Sequence, residues 1–217
     1  MFPRMSGIFL SFEGIEGSGK STQATLLADA LRAHGHDVVI TREPGGTQRG
    51  QVLRRLLLDP IEPSLAPGAE LLLMLADRAQ HVQEVIAPAL AANKVVITDR
   101  FVDSTTAYQG YGRGFDRALL HQLNTLACGG YLPAMTFLMD LPVSEGLQRA
   151  RLRRGETETA DHFEAESVAF HERVREGFLA IAHAEPQRVH LLDATRPKEQ
   201  VHQDILAALQ RVIFHVA

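Results

Sequence analysis

FEGIEGSGKST, Phe12 to Thr22, sets three glycines and a lysine between an apolar run and a helical one. Gly14, Gly19, Lys20 and Ser21 fit G-x-x-x-x-G-K-[ST], the phosphate-cradling P-loop pattern. Upstream, Ile8 to Phe12 is an apolar run of strand length. Downstream, Ser21 to His34 reads as a helix, with Leu26, Leu27, Ala30 and Leu31 on one side and Gly35 as its stop. Strand, glycine loop, helix is the context the pattern requires. The glycines let backbone N–H groups turn inward as an anion nest, and the helix N-terminus adds a favourable dipole. Lys20 is placed to reach the outer phosphates of a nucleotide, and the Ser21 hydroxyl to ligate Mg²⁺.

Composition narrows the class. The chain has 217 residues, 45% hydrophobic and 22% charged, the size and balance of one globular domain spanning 1–217. Its net charge of −4 gives no electrostatic case for binding a nucleic acid polymer. No apolar run approaches the ~20 residues that span a bilayer, and MFPRMSG at the start lacks the apolar stretch of a signal peptide. The single cysteine, Cys128, has no disulfide partner in the chain and fits a reducing, cytoplasmic setting. It reads as a small buried side chain.

Strand-like and helix-like stretches then alternate. Asp37–Thr41, Val95–Asp99, Met135–Leu141 and Arg188–Asp193 are strand candidates after the first. Gln51–Leu58, Gly68–Asn93 with a break near Pro88, Arg117–Leu126, Ser144–Arg154, Glu164–Ala182 and Pro197–Val212 are helix candidates, and Pro44-Gly45-Gly46 and Pro60 to Gly68 are loops. The expected fold is therefore α/β, a three-layer P-loop NTPase fold with a five-stranded parallel sheet between helices.

Two more features carry chemistry. VVITDR ends a strand on Asp99, where a carboxylate can hold Mg²⁺ directly or through water, or only form a turn. Arg100 can meet a phosphate by bidentate bonding, or be an ordinary ion-paired arginine. Arg149, Arg151, Arg153 and Arg154 crowd the end of a helix. They serve either as helix-terminal cations or as a mobile segment supplying charge during phosphoryl transfer. A guanine-specific Asn-Lys-x-Asp motif is missing, and Asp-Arg replaces the acid pair of motor ATPases, which favours a kinase of a small phosphorylated acceptor.

FEGIEGSGKSTQ (Phe12–Gln23), TREPGGT (Thr41–Thr47), DRFVDSTTAYQG (Asp99–Gly110), the arginine run from Arg149 and LLDATRP (Leu191–Pro197) together resemble the bacterial thymidylate (dTMP) kinases over nearly the whole chain. The resemblance implies transfer of the ATP γ-phosphate to dTMP with Mg²⁺, a short lid at about 149–165, and a homodimer. It places ATP on Gly14, Ile15, Glu16, Gly17, Ser18, Gly19, Lys20, Ser21, Thr22 and Thr195, with DATRP lining the adenine, and Mg²⁺ on Ser21 and Asp99. It gives Lys20, Arg153 and Arg100 catalytic roles. Around dTMP it places Glu16 at the 3′-hydroxyl, Arg42 and Arg100 at the phosphate, Arg78 at thymine O4 and Thr105 at N3. Ser104 belongs to the same set, Tyr108 lies against the deoxyribose and Gln109 near it.

The chain departs from the family at Met74, where a stacking aromatic is usual, at Phe101 in place of Tyr or His, and at Ala134 in place of Asp. Glu13 matches the family without a role. The helices around Glu70–Leu75 and Ala118–Leu126 are dimer-surface candidates. Two other readings are a kinase of another nucleotide or nucleoside, and a regulator that uses ATP as a switch. DRFVDSTTAYQ opposes the first, and the Lys20, Ser21, Asp99 and lid-arginine set opposes the second.

Overall fold

The structure is a computed structural model that describes residues 7–59, 63–154 and 161–215. Among these, β1 (Phe9–Glu13), β2 (Val38–Arg42), β3 (Val95–Asp99), β4 (Met135–Asp140) and β5 (Val189–Asp193) form one parallel sheet in the order β2-β3-β1-β4-β5. β1 lies at the centre and every residue of it is buried. Its side chains alternate between two cores, as the period of a strand requires. Leu10 and Phe12 join Val95, Ile97 and Phe137 on one face. Phe9 joins Val96, Ile86 and Phe101 on the other.

The helices are α1 (Lys20–Ala33), α2 (Gln48–Leu58), α3 (Pro67–His81), α4 (Ala87–Ala91), α5 (Val102–Thr105), α6 (Arg117–Cys128), α7 (Val143–Arg154), α8 (Val168–Ala184) and α9 (Lys198–His215). The break expected near Pro88 is instead a wide π-helical stretch, Val82–Ile86, that carries α3 into α4 without interruption. There the N–H of Ala87 reaches back to the Val82 carbonyl, so the hydrogen-bond pattern is already shifted where proline lacks its donor. A second π-helical stretch, Thr106–Gly112, extends α5. The helix expected from Glu164 starts at Val168, where Ser167 caps it by accepting from Phe170 N–H. The centre of the expected lid, 155–160, lies outside the described residues.

A buried polar rib ties the sheet to α5. Ser11 and Thr136 hydroxyls meet at 2.7 Å, and Arg188 grips Asp103 with two bonds of 2.8 Å while also donating to Thr136. At the other end of the strands, the loops that leave the carboxyl ends of β1, β2 and β3 come together, with Glu43 N–H on the Asp99 carbonyl and Arg100 N–H on the Phe12 carbonyl, where parallel α/β sheets place ligands.

Candidate active site

The P-loop turns through positive φ at Gly14, Gly17 and Gly19, conformations that glycine takes without strain. It also touches α7 backbone to backbone. A Cβ on Gly17 would fall 2.1 Å from the Gly146 carbonyl oxygen, and one on Gly146 would fall 2.6 Å from that of Glu16. The loop is thus seated directly on the helix that carries the arginine run. Ile15 turns its side chain into the core.

Lys20 folds over this loop, donating to the Ile15 carbonyl at 2.7 Å. Burial, then the neighbouring Arg100 cation, pulls its ammonium down to about 8. Ser21 opens α1 and donates to Asp99 at the end of β3. Two hard oxygen donors of the type Mg²⁺ prefers therefore stand side by side, although 78 positions apart in the chain.

Arg100 adopts φ of +74°, unusual for a side chain with a Cβ. That turn sends its guanidinium back under the P-loop. Nη1 donates to the Gly14 carbonyl at 3.0 Å and to Ser104 at 3.1 Å. Nη2 donates to Glu16 at 2.8 Å and to the Tyr108 hydroxyl at 3.1 Å. Tyr108 in turn donates to the Glu16 carboxylate at 2.6 Å. Burial pushes Glu16 up, but Arg100, Lys20 and Tyr108 outweigh it and hold the carboxyl below its usual range.

Glu13, which no sequence pattern explained, holds this corner together. It is fully buried. Oε1 accepts from Phe101 N–H at 2.7 Å and Ser104 N–H at 3.3 Å, and Oε2 accepts from the Ser104 hydroxyl at 2.6 Å. The last residue of β1 thereby caps α5 from outside the helix, accepting from the Phe101 N–H and sharing the Ser104 N–H with the Phe101 carbonyl at 3.2 Å. Burial, reinforced by Asp103, pushes its carboxyl up to about 7.

A cleft of ≈ 410 Å³ opens beside these groups. Glu16, Lys20, Ser21, Arg42, Asp99 and Arg100 line one part, and Met74, Arg78, Ser104, Thr105, Tyr108 and Gln109 another. Arg153 lines it too, with its side chain 68% exposed and 3.5 Å from Glu164. Gly17, Ser18, Gly19, Thr22, Arg149 and Thr195 line a separate hollow of ≈ 560 Å³ along the outer side of the P-loop.

Arg78 is only 2% exposed, and its donors are almost fully assigned. Nε donates to Glu43 at 2.9 Å, Nη1 to Thr105 at 2.7 Å and Asn124 at 2.6 Å, and Nη2 to the Phe101 carbonyl at 3.0 Å. A guanidinium has five N–H groups. Among the described residues one on Nη2 has no acceptor. Glu43 is fixed from behind by His81 at 2.9 Å. The result is a rigid polar wall with a single donor left over.

Sequence reasoning missed Arg54. It sits on α2, lines the cleft, and donates to the Pro44 carbonyl at 3.0 Å. Burial and then the Arg42 cation lower its affinity for a proton, against the opposite pull of Asp161 and Asp99. In the sequence it is one of two adjacent arginines on a surface-like helix, and nothing local sets it apart.

The comparisons with known proteins agree with this geometry. The family model described as thymidylate kinase matches residues 12–205. A thymidylate kinase of Desulfovibrio desulfuricans is 54% identical over 206 residues, covering 94% of this chain and 95% of its own. One of Geobacter sulfurreducens is 53% identical over 189 residues, covering 86% and 89%. A crystal structure of thymidylate kinase from Ehrlichia chaffeensis superposes with a TM-score of 0.76 at 38% identity, covering 94% of this chain and 98% of that one. With a P-loop, a strand-end aspartate and a locked arginine wall in one cleft, and a family match over most of its length, the chain belongs to the thymidylate kinases, the family that phosphorylates dTMP to dTDP using ATP.

Proposed function

We propose that the ≈ 410 Å³ cleft is the dTMP site and the hollow beside Thr195 and Arg149 the adenosine site, with phosphoryl transfer at Lys20 between them. Lys20 swings from the Ile15 carbonyl to the donor phosphates and offsets charge as it builds on the transferring group. Ser21 and Asp99 would hold Mg²⁺, which when bound neutralises phosphate charge. Arg42 and Arg100 hold the acceptor phosphate, with Arg54 close enough to join them. Arg153 completes the charge from the lid, and Glu16 accepts from the 3′-hydroxyl. Exposed Leu72, Leu119 and Leu126 on α3 and α6 support a homodimer through that face. The buried Cys128 thiol, pushed up to about 12 by burial, suits a cytoplasmic protein with no disulfide role.

The observation that carries the base assignment is the single unassigned N–H of the buried Arg78, beside the Thr105 hydroxyl. A donor next to a hydroxyl matches thymine O4 and N3–H. It opposes cytosine, which presents an amino group and an unprotonated N3 there. The test is kcat/KM for dTMP, dUMP, dCMP, dGMP and UMP with ATP in excess. Loss of the methyl in dUMP should lower kcat/KM by about 10–200-fold, and the mismatched polar edge of dCMP by about 10⁴-fold. Equal use of dCMP and dTMP would reject the Arg78–Thr105 contacts, and preference for a purine would reject the substrate.

A further inference from the structure

His171, on α8, has no part in the roles above. Its residue is fully buried, and neither ring nitrogen has a hydrogen-bond partner among the described residues. Nδ1 stands 3.6 Å from Glu16 Oε2, just beyond hydrogen-bond length and within reach of a small ring rotation. Buried polar atoms are almost always paired, so an unpaired imidazole aimed at a carboxylate asks for a reason.

Arg100 supplies it. Both terminal nitrogens of Arg100 are now bound to protein, Nη1 to Gly14 and Ser104, Nη2 to Glu16 and Tyr108. The same guanidinium is the proposed ligand of the acceptor phosphate; among the described residues only its Nε–H has no acceptor, so a two-bond grip on a phosphate takes at least one terminal nitrogen from its present partner. Releasing Glu16 strips a sheltered carboxylate of its cation, and the neutral 3′-hydroxyl proposed to meet Glu16, which thymidine carries too, does not restore that charge. The charged and titratable groups that act on Glu16 are Arg100, Lys20, Tyr108 and His171. Lys20 is engaged by the loop and directed to the donor phosphates, and Tyr108 already donates its one hydroxyl proton. His171 alone of the four has an unused ring nitrogen facing the carboxylate.

We propose that His171 is a positioning residue that replaces Arg100 as the partner of Glu16 when the acceptor phosphate arrives, freeing Arg100 to hold that phosphate. The exchange makes and breaks only hydrogen bonds: Arg100 Nη2–H leaves Glu16, and His171 Nδ1–H donates in its place. It rests on the reading of Arg100 as a phosphate ligand, and the test separates the two.

Equilibrium binding of dTMP and of thymidine would be measured on the whole protein, on His171→Phe and on His171→Asn. Phe fills the buried volume without a nitrogen, and Asn offers an amide near the place of Nδ1. Thymidine carries no phosphate, so Arg100 stays on Glu16 and His171 is not called upon. The expected result is that His171→Phe weakens dTMP by about tenfold, the scale of one charge-assisted hydrogen bond. Thymidine binding stays within about twofold, and His171→Asn recovers most of the dTMP loss. Equal weakening of both ligands, or of neither, overturns the proposal and leaves His171 a packing residue. Arg100→Ala supplies the second arm. If it binds dTMP as well as the parent does, the phosphate role of Arg100 fails, and the exchange falls for that separate reason. Spectra of the unmodified protein with ¹⁵N-labelled histidine keep the question open to test should a variant fold poorly. The His171 Nδ1 resonance should move with dTMP and not with thymidine, and an identical response to both rejects the exchange.

Discussion

Replacing Glu13 by glutamine should change how stability depends on pH, and the structure fixes both sign and size. Glu13 is buried, with its carboxyl raised from an ordinary 4.5 to about 7 by burial and then by Asp103. A carboxyl with a raised folded-state pKa binds more protons folded than unfolded. Its contribution is fully present below about pH 4.5 and is lost as pH rises through about 7. At ~1.4 kcal/mol per pH unit, the loss between about pH 5 and pH 8 comes to roughly 2–3 kcal/mol. Glutamine does not titrate. Its carbonyl can accept from Phe101 and Ser104 N–H as Oε1 does, and its amide can donate to the Ser104 hydroxyl in place of Oε2. Other carboxylates titrate in the same window, so the informative quantity is the variant-minus-parent difference from denaturant unfolding at the two pH values. That difference should move in favour of the Glu13→Gln variant by roughly 2–3 kcal/mol from about pH 5 to about pH 8. A difference that is the same at both pH values refutes the assignment of a raised pKa to Glu13. Glu13→Ala separates the capping role: it leaves the Phe101 N–H without its acceptor, while the Ser104 N–H keeps the Phe101 carbonyl at 3.2 Å, and it should cost about 1–3 kcal/mol even at about pH 5.

Lys20→Ala should lower kcat by about 10²–10³-fold in a coupled ADP assay while the far-ultraviolet circular dichroism stays unchanged, because Lys20, seated on the P-loop, offsets charge as it builds on the transferring group. Arg153→Ala should lower kcat by more than about tenfold and leave the KM for dTMP and Tm nearly unmoved, as its exposed side chain contributes little to packing; a stability loss without a rate loss would make it a helix-end cation only. Gly146→Ala should push α7 off the P-loop, since the added carbon would lie 2.6 Å from the Glu16 carbonyl oxygen and 2.8 Å from Ile15 Cδ1. We expect a loss of about 1–3 kcal/mol by denaturant unfolding together with a lower kcat, and unchanged values of both would show that the contact is dispensable.

What could be read from the sequence was what local spacing determines. The P-loop is set by glycines and a lysine within eight positions, and the five strands by short apolar runs with turn residues at their ends. Asp99 was legible as a metal candidate because a strand that pairs with β1 must end beside the loop that β1 feeds. The helix Val102–Gly112 was not legible. Its β-branched residues and two glycines argue locally against a helix, and the reasons for those glycines lie elsewhere: a Cβ on Gly112 would come 2.7 Å from Phe170, and one on Gly110 would come 3.2 Å from Leu120. Arg54 was invisible for the same kind of reason, since the loop it braces precedes its own helix.

Glu13 shows why such residues escape a reading made along the chain. Its partners Phe101 and Ser104 lie 88 and 91 positions away, and no window contains both ends of the contact. The carboxylate matters because Arg100 must turn through φ of +74° to bring its guanidinium beneath the P-loop. Such a backbone conformation persists only where its surroundings over-determine it. The Phe101 N–H held by Glu13 on one side and the Arg100 N–H donated to the Phe12 carbonyl on the other supply that constraint. Both ends are anchored at the last two residues of β1. The strand that feeds the phosphate loop therefore also aims the arginine beside it, and a change at Glu13 should reach the acceptor site through Arg100 although Glu13 lines no part of the cleft.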